Sequence, residues 1–324
     1  MSDPEWVAFL GTVPLLEGLS EAELAELAHI MRPRTLAEGE VLWHEGQHAR
    51  SMVLIVDGNV SVAKRLPGDR AVEVAGLGPR EALGEIPLVD GGEHSATVRA
   101  TEATTVLALS RPDFAALVSR RHPSAFALKR RVATVATQRL RQTFGSLAAS
   151  LGEEACCDSG AAPGQTPEKL EFCGPPDSAY IRRMATFRDV DALALWGFLT
   201  AGRYAFCPRG HVLAAEGASP SACYLTINGA VEKVLIRGDR RIRVELAGPG
   251  QTFGYEGLID GLNSPVTAIT RERSLLLVLT EESFARLFGG DTDVSHVFLD
   301  VINRNLAASL RQAMRPQARL AVRA

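Results

Sequence analysis

No stretch of this chain runs through the roughly 20 uninterrupted apolar residues that a membrane helix needs, because a charged or polar residue breaks every candidate. The amino terminus, Met1-Ser2-Asp3-Pro4-Glu5-Trp6, is acidic and lacks the basic and long apolar regions of a secretory signal, so the cytoplasm is the expected compartment. Cysteine is scarce. The five present in 324 residues are an odd number, and no disulfide framework is expected. Cys156, Cys157 and Cys173 lie in one stretch, but adjacent cysteines do not match metal-ligand spacing and read as ordinary reduced thiols. Cys207 and Cys223 fall in strand-like segments and read as core. Neither sign of charge dominates: 35 basic against 38 acidic residues give a formal charge of -3, which points to neither a polyanion binder nor an acidic tail. No Ser/His/Asp or metal-ligand constellation stands out, so no enzyme is expected.

What the sequence does contain is a repeat. Leu15, Leu16, Leu19, Leu24, Leu27 and Ile30 recur at helical spacing, with Ser20 before Glu21 and Glu23 as an N-cap. From Thr35 to Leu109 the texture changes to short apolar runs cut by Gly, Pro and Asp, the pattern of an all-β barrel or sandwich, with a turn at Leu66-Pro67-Gly68-Asp69. Helical spacing returns over Arg111 to Arg120 and, after Pro123, from Phe126 to about Leu151. The second half repeats this order. Glu45-Gly46 and Glu216-Gly217 are 171 apart, as are Asp57-Gly58 and Asn228-Gly229; thereafter the offset is 170, pairing Gly68-Asp69-Arg70 with Gly238-Asp239-Arg240, Gly84 with Gly254 and Phe114 with Phe284. A residue dropped in a turn after Gly58 and Gly229 explains the change, because turns tolerate it and strand registers do not. The expected organisation is a first domain over 10–151, a flexible linker over 152–183 rich in Gly and Pro, and a second domain over 184–316.

The stretch from Leu83 to Val98 carries the chemistry. Gly84 lets backbone approach a ligand, Glu85 to Val89 is long enough for one helical turn with outward N–H groups, and Ser95 offers a hydroxyl. Gly84, Glu85, Leu88, Ser95, Ala96, Thr97 and Val98 fall in the order of a phosphate-binding cassette, and the chain resembles cyclic-nucleotide-binding-domain proteins of the catabolite-activator and protein-kinase-A regulatory-subunit types. The resemblance implies a mainly β fold with flanking α: two β-barrel (jelly-roll) domains, each with helices before and after. It implies cyclic AMP or cyclic GMP as the ligand of the first domain, held by Gly84, Glu85, Ile86, Leu88, His94, Ser95 and Ala96. His94 stands where the family carries the arginine that pairs with the phosphate, and a neutral imidazole offers no bidentate fork; protonation would restore one charged donor. In the second cassette Tyr255 follows Gly254 where the carboxylate belongs, Ser264 takes the arginine's place, and Glu256 comes one residue late, turned by about 100° on a helix. That cassette is expected to be inactive.

Two apolar stripes follow the barrels: Leu128, Val132, Val135, Ala136, Leu140, Phe144 and Leu147, and Phe298, Val301, Ile302, Leu306, Leu310 and Met314. They suit pairing within one chain, pairing across a homodimer, or cover for their own barrels. Lys129-Arg130-Arg131, with Arg139 and Arg141, reads as the solvent face of its helix. Arg182-Arg183 resembles the inhibitory pair of kinase regulatory subunits, although here it lies between the barrels. Regulators that read DNA continue into a further module, for which the residues after Met314 leave no room, so neither DNA nor a membrane is an expected partner. The expectation is a non-enzymatic regulatory protein with weak, altered or absent cyclic AMP binding that acts on an unidentified protein partner. The alternatives are a cyclic-nucleotide sensor using the first domain only and a kinase-type regulatory subunit.

Overall fold

The computed structural model of the chain describes residues 3–65, 71–149, 170–188, 190–237 and 240–321, except the side chains of 3, 178, 240 and 314–321. Cys156 and Cys157, the greater part of the 152–183 linker, the turn at Leu66–Asp69 and the Met314 side chain lie outside the described residues. The chain divides into two compact units, Met1–Val135 and Ala136–Ala324.

The first unit opens with helices α1 (Asp3–Leu10) and α2 (Glu21–Ile30). Ser20 caps α2 in a capping box, its side chain accepting from Glu23 N while the Glu23 carboxylate takes the Ser20 amide at 2.7 Å. Strands β1 (Arg32–Leu36), β2 (Val41–Trp43), β3 (Ser51–Asp57), β4 (Val60–Arg65), β5 (Ala71–Leu77) and β6 (Ala82–Leu83) precede the short helix α3 (Glu85–Asp90). After it come β7 (Thr97–Ala100), β8 (Thr104–Ser110), α4 (Arg111–Ser119) and α5 (Pro123–Ala149). The strands form two four-stranded antiparallel sheets, ordered β1-β8-β3-β6 and β2-β7-β4-β5. One apolar cluster fills the space between them, with Leu36, Trp43, Ile55, Val98 and Val106 buried, and a second joins the helices to the first sheet through Leu10, Leu27, Leu54, Leu117 and Leu128. Trp6 and Leu10 of α1 belong to this second cluster, so the packed helical lead begins earlier than residue 10.

The second unit repeats the plan. Its strand β9 (Glu171–Cys173) and helix α6 (Ser178–Arg182) come first, followed by α7 (Ala192–Leu199) and strands β10 (Arg203–Cys207) and β11 (Val212–Ala214). Then come β12 (Ala222–Asn228), β13 (Val231–Arg237), β14 (Arg240–Ala247), β15 (Thr252–Phe253), α8 (Glu256–Asp260), β16 (Thr267–Thr270), β17 (Ser274–Thr280), α9 (Glu281–Gly289) and α10 (Asp293–Ala321). The sheet orders are β15-β12-β17-β10-β9 and β11-β16-β13-β14. Residues 170–182, which composition assigns to a flexible linker, are instead part of this unit: β9 pairs with β10, and Leu170 and Ile181 are buried anchors. Their short apolar signal is swamped in the sequence by the prolines around them.

The repeat holds at the level of register. Bulges between Val41 and Trp43, Ile55 and Asp57, and Val62 and Ala63 recur 171 residues later, between Val212 and Ala214, Thr226 and Asn228, and Lys233 and Val234. The change of offset falls in the following hairpin, where Arg65 pairs with Ala71 and Ile236 with Arg241, so the first loop holds one more residue than the second. One further reading needs correction in part. Arg139 is exposed as read, but Lys129 is buried and Arg131 donates to the carbonyls of Pro14 at 2.8 Å and Leu15 at 3.2 Å, so Arg131 holds the amino-terminal turn. Helix α5 crosses the boundary between the units: Leu128 and Val132 join the first unit's core, while Phe144 and Arg141 lie within the second unit, beside Lys233 and on Asp260.

Equivalent turns in the two units differ in one telling way. Arg80 sits at φ +72 where the second copy has Gly250 at φ +83. A side chain in that region costs about 1 kcal/mol, and a Cβ on Gly250 would also come within 2.8 Å of Thr186 Oγ1. Chemical denaturation is therefore expected to show Gly250→Ala destabilising by about 1–2 kcal/mol and Arg80→Gly costing nothing; an equal loss in both would sink this account of the turn.

Candidate functional site

In the first unit Gly84, at φ +77, caps α3, and Gly91 at the same φ ends it. This pair of left-handed residues sets a single short helix between β6 and β7. Glu85 is its first residue and is 2% exposed, Leu88 is buried and donates its amide to Gly84 O at 3.1 Å, and Ile86 is half-buried against the core. The return strand is pinned to the Glu45-Gly46 turn: Gly46 N donates to His94 O, His94 N to Gln47 O, and Glu45 N to Thr97 Oγ1. Ala96 is buried while Glu93 and Ser95 are exposed, so of the three polar residues in the loop it is His94 that faces inward.

His94 is stacked on Trp43, with ring centroids 3.9 Å apart and planes 4° from parallel, and only 5% of it is exposed. Burial disfavours its charged form and lowers its pKa from 6.5 to about 4. With no anion beside it, His94 is a packed ring whose charged form burial disfavours. A Cβ on Gly84 would lie 3.2 Å from Trp43 and 3.3 Å from His94, so the stack forms the wall beside the cassette glycine. Trp43 escaped the sequence analysis, where it was a strand residue among others; its pairing with His94 is visible only once β2 and β7 are side by side.

The edge strand β5 of this barrel is uncovered. Every residue of β5 from Ala71 to Gly76 is exposed, and Val62 and Ile86 are half-exposed. In the second unit the positions equivalent to Val62, Ala75 and Ile86 by register are Lys233, Glu245 and Glu256, and all three are sealed from solvent. The Lys233 ammonium lies 2.7 Å from Glu256 Oε1 and 2.9 Å from Glu245 Oε2, with the rings of Tyr255 and Phe144 each 5.7 Å away. Burial alone would lower the lysine's pKa, but Glu245 and Glu256 more than offset it and hold it well above its ordinary value. Glu256 opens α8, turned away from the direction of Glu85 as the helical spacing requires. Tyr255 is fully buried, which raises its phenol's pKa. Ser264 Oγ donates to Val266 O at 2.8 Å and is thereby satisfied within its own loop.

A Cβ on Gly254 would lie 3.2 Å from the Tyr224 ring, which stacks on Phe253 with centroids 5.1 Å apart. Arg141 of α5 grips the end of α8, its Nε and Nη2 on the two Asp260 oxygens at 2.8 and 2.9 Å and its Nη1 on Asn263 O at 2.7 Å. Cys207 and Cys223 are buried core residues, and burial pushes the Cys207 thiol up to about 11. Among the described residues no group of His, Cys, Asp and Glu is placed to hold a metal, and no helix is long and apolar enough to cross a membrane.

Two consequences can be measured. Between its unfolded value near 6.5 and its folded value of about 4, His94 takes up a proton only in the unfolded chain, so its contribution to stability is complete above the upper value and is lost as pH falls through the interval. Denaturation is expected to show a loss of about 2 kcal/mol from this source between neutral pH and pH 5, absent in His94→Phe; identical acid profiles would refute it. Lys233→Met leaves two buried carboxylates uncompensated and is expected to cost about 3–5 kcal/mol, while a cost below about 1 would show the cluster to be hydrated.

A family model described as "Cyclic nucleotide-binding domain" matches residues 33–121 and again residues 205–291, together more than half of the chain. The cyclic AMP receptor protein of Thermus thermophilus is 34% identical over 107 residues, 33% of this chain and 50% of that protein. A cyclic nucleotide-gated potassium channel of Mesorhizobium japonicum is 36% identical over 110 residues, 34% of this chain and 29% of the channel. The chain thus aligns with half or less of the length of these curated relatives. Among solved structures, the N-terminal domain of a transcriptional regulator from Streptomyces coelicolor is similar at 35% identity over 42% of this chain and 94% of that one, with a TM-score of 0.37. The regulatory domain of Toxoplasma gondii PKA with cAMP is similar at 19% identity over 90% of this chain and 94% of that one, with a TM-score of 0.34. Each matched segment contains one barrel and one glycine-capped cassette, and the chain belongs to the cyclic nucleotide-binding domain family, with two copies of that domain in tandem.

Proposed function

We propose that this chain is a non-enzymatic regulatory protein in which only the first barrel, through Gly84, Glu85, Ile86, Leu88, His94, Ser95 and Ala96, takes a cyclic nucleotide such as cyclic AMP or cyclic GMP. Its affinity is low because the buried, neutral His94 offers no charge to the phosphate. The observation that carries the reading is the contrast between the barrels: Val62, Ala75 and Ile86 leave the first open, whereas Lys233, Glu245 and Glu256 close the second. The relatives whose names specify cyclic AMP or cyclic nucleotides support the class of ligand.

The output is a protein contact. Leu193 and Trp196 lie three residues apart on α7, hence on one face, and are 79% and 51% exposed, a patch of the kind that proteins bury against partners. The second unit thereby serves as the interaction module and the first as the sensor.

Calorimetric titration of the nucleotide-stripped protein with cyclic AMP and cyclic GMP tests the sensor half of this reading. Weak binding is expected in the parent, loss of it in Glu85→Ala, and tightening of at least about tenfold, or 1.4 kcal/mol, in His94→Arg, which supplies the missing fork. Absence of heat from both the parent and His94→Arg would reject a nucleotide role.

A further inference from the structure

The second barrel contains more than a degraded cassette. Three inner positions that are apolar in the first barrel, Val62, Ala75 and Ile86, are together replaced by a lysine and two glutamates, and the three side chains meet. Loss of a ligand site by drift gives scattered substitutions; a cation seated between two carboxylates needs all three at once. Each lies on a different element: Lys233 on β13, Glu245 on β14 and Glu256 on α8. A fourth element joins through Ser309 of α10, whose hydroxyl donates to Glu245 Oε2 at 2.8 Å. Asn305, one turn earlier on α10, accepts from Thr252 N at 3.1 Å beside the cassette.

We propose that Lys233, Glu245 and Glu256 form a permanent internal occupant of the second barrel, which fills the place of a ligand and holds α8 and α10 in one arrangement without nucleotide. The charges suit that role. One ammonium and two carboxylates leave a net negative site, so a phosphate entering it meets like charge, and the ammonium is already engaged on both sides. The aromatic walls, Tyr255 and Phe144, complete the enclosure of the ammonium. In the first barrel the equivalent positions make no such tie: β5 is exposed along its length, whereas β14 packs against α10. The inference rests on the reading of the second barrel as silent, and is independent of whether the first binds nucleotide.

Hydrogen–deuterium exchange on the full chain, alone and with excess cyclic AMP or cyclic GMP, provides the test. In the parent, amides of 252–260 and 300–313 are expected to be protected without nucleotide and unaltered by it. In Lys233→Met, and in the triple variant Lys233→Val, Glu245→Ala, Glu256→Ile, exchange over 300–313 is expected to rise by about tenfold or more, while 51–57 in the first barrel stays as in the parent. Should Lys233→Met fail to fold, the triple variant, which buries no charge at these positions, gives the reading alone. Nucleotide-dependent protection of the second barrel in the parent overturns the proposal, as does parental protection of α10 in the triple variant. Failure of the first barrel to bind would appear only in calorimetry and in first-barrel amides, and leaves this result unaffected.

Discussion

Close packing is the constraint on which both units depend. A barrel of short strands with a helix of one or two turns inserted in it encloses a space, and protein interiors do not leave such spaces empty. Left-handed glycines at 84 and 254 fix where the inserted helices start, and therefore where the space lies. What fills it is then open to variation. The first barrel lines it with a Trp43–His94 stack and leaves the strand beyond uncovered; the second fills it with Tyr224 on Phe253 and with a buried ion cluster. The same backbone thus carries two different answers to one packing problem.

The two answers have different physical costs. An aromatic stack gains from area and contact alone, and asks only that the imidazole stay neutral. An ion cluster must recover the desolvation of three charges, and does so only with all members in place and the surrounding elements fixed. Around its cassette the second unit accordingly makes more buried polar ties than the first. Arg141 clamps the far end of α8 and Lys233 holds Glu256 at its start, so the cassette helix is tied at both ends. The first cassette has its capping glycines, its buried Glu85 and its turn at Glu45-Gly46, and β5 stays exposed.

Much of this was legible beforehand, because it depends on local chemistry. Ser20 and Glu23 spell a capping box, the glycines at 84 and 254 mark backbone that only glycine adopts easily, and the spacing of the repeat places one barrel on the other to within a single hairpin residue. Other readings went astray where neighbours distant in sequence decide the matter. Lys129 and Arg131 look like a solvated face until the Pro14–Leu16 turn is seen to need donors. Residues 170–182 look like linker until β10 is seen to offer an unpaired edge. Lys233, Glu245 and Glu256 were available to anyone comparing the copies position by position, but nothing in a strand's own sequence says that its lysine points inward.

By itself the sequence determined the repeat, the two barrels and the location of both cassettes, since turn geometry, strand alternation and helix capping are set by residues close together in the chain. Only the tertiary structure decided what occupies each pocket. His94 is neutral because Trp43, 51 residues away, lies flat against it, and Lys233 is charged because two carboxylates from separate elements converge on it. Protonation and burial are properties of an environment, and that environment exists only when the sheets and helices have closed around it.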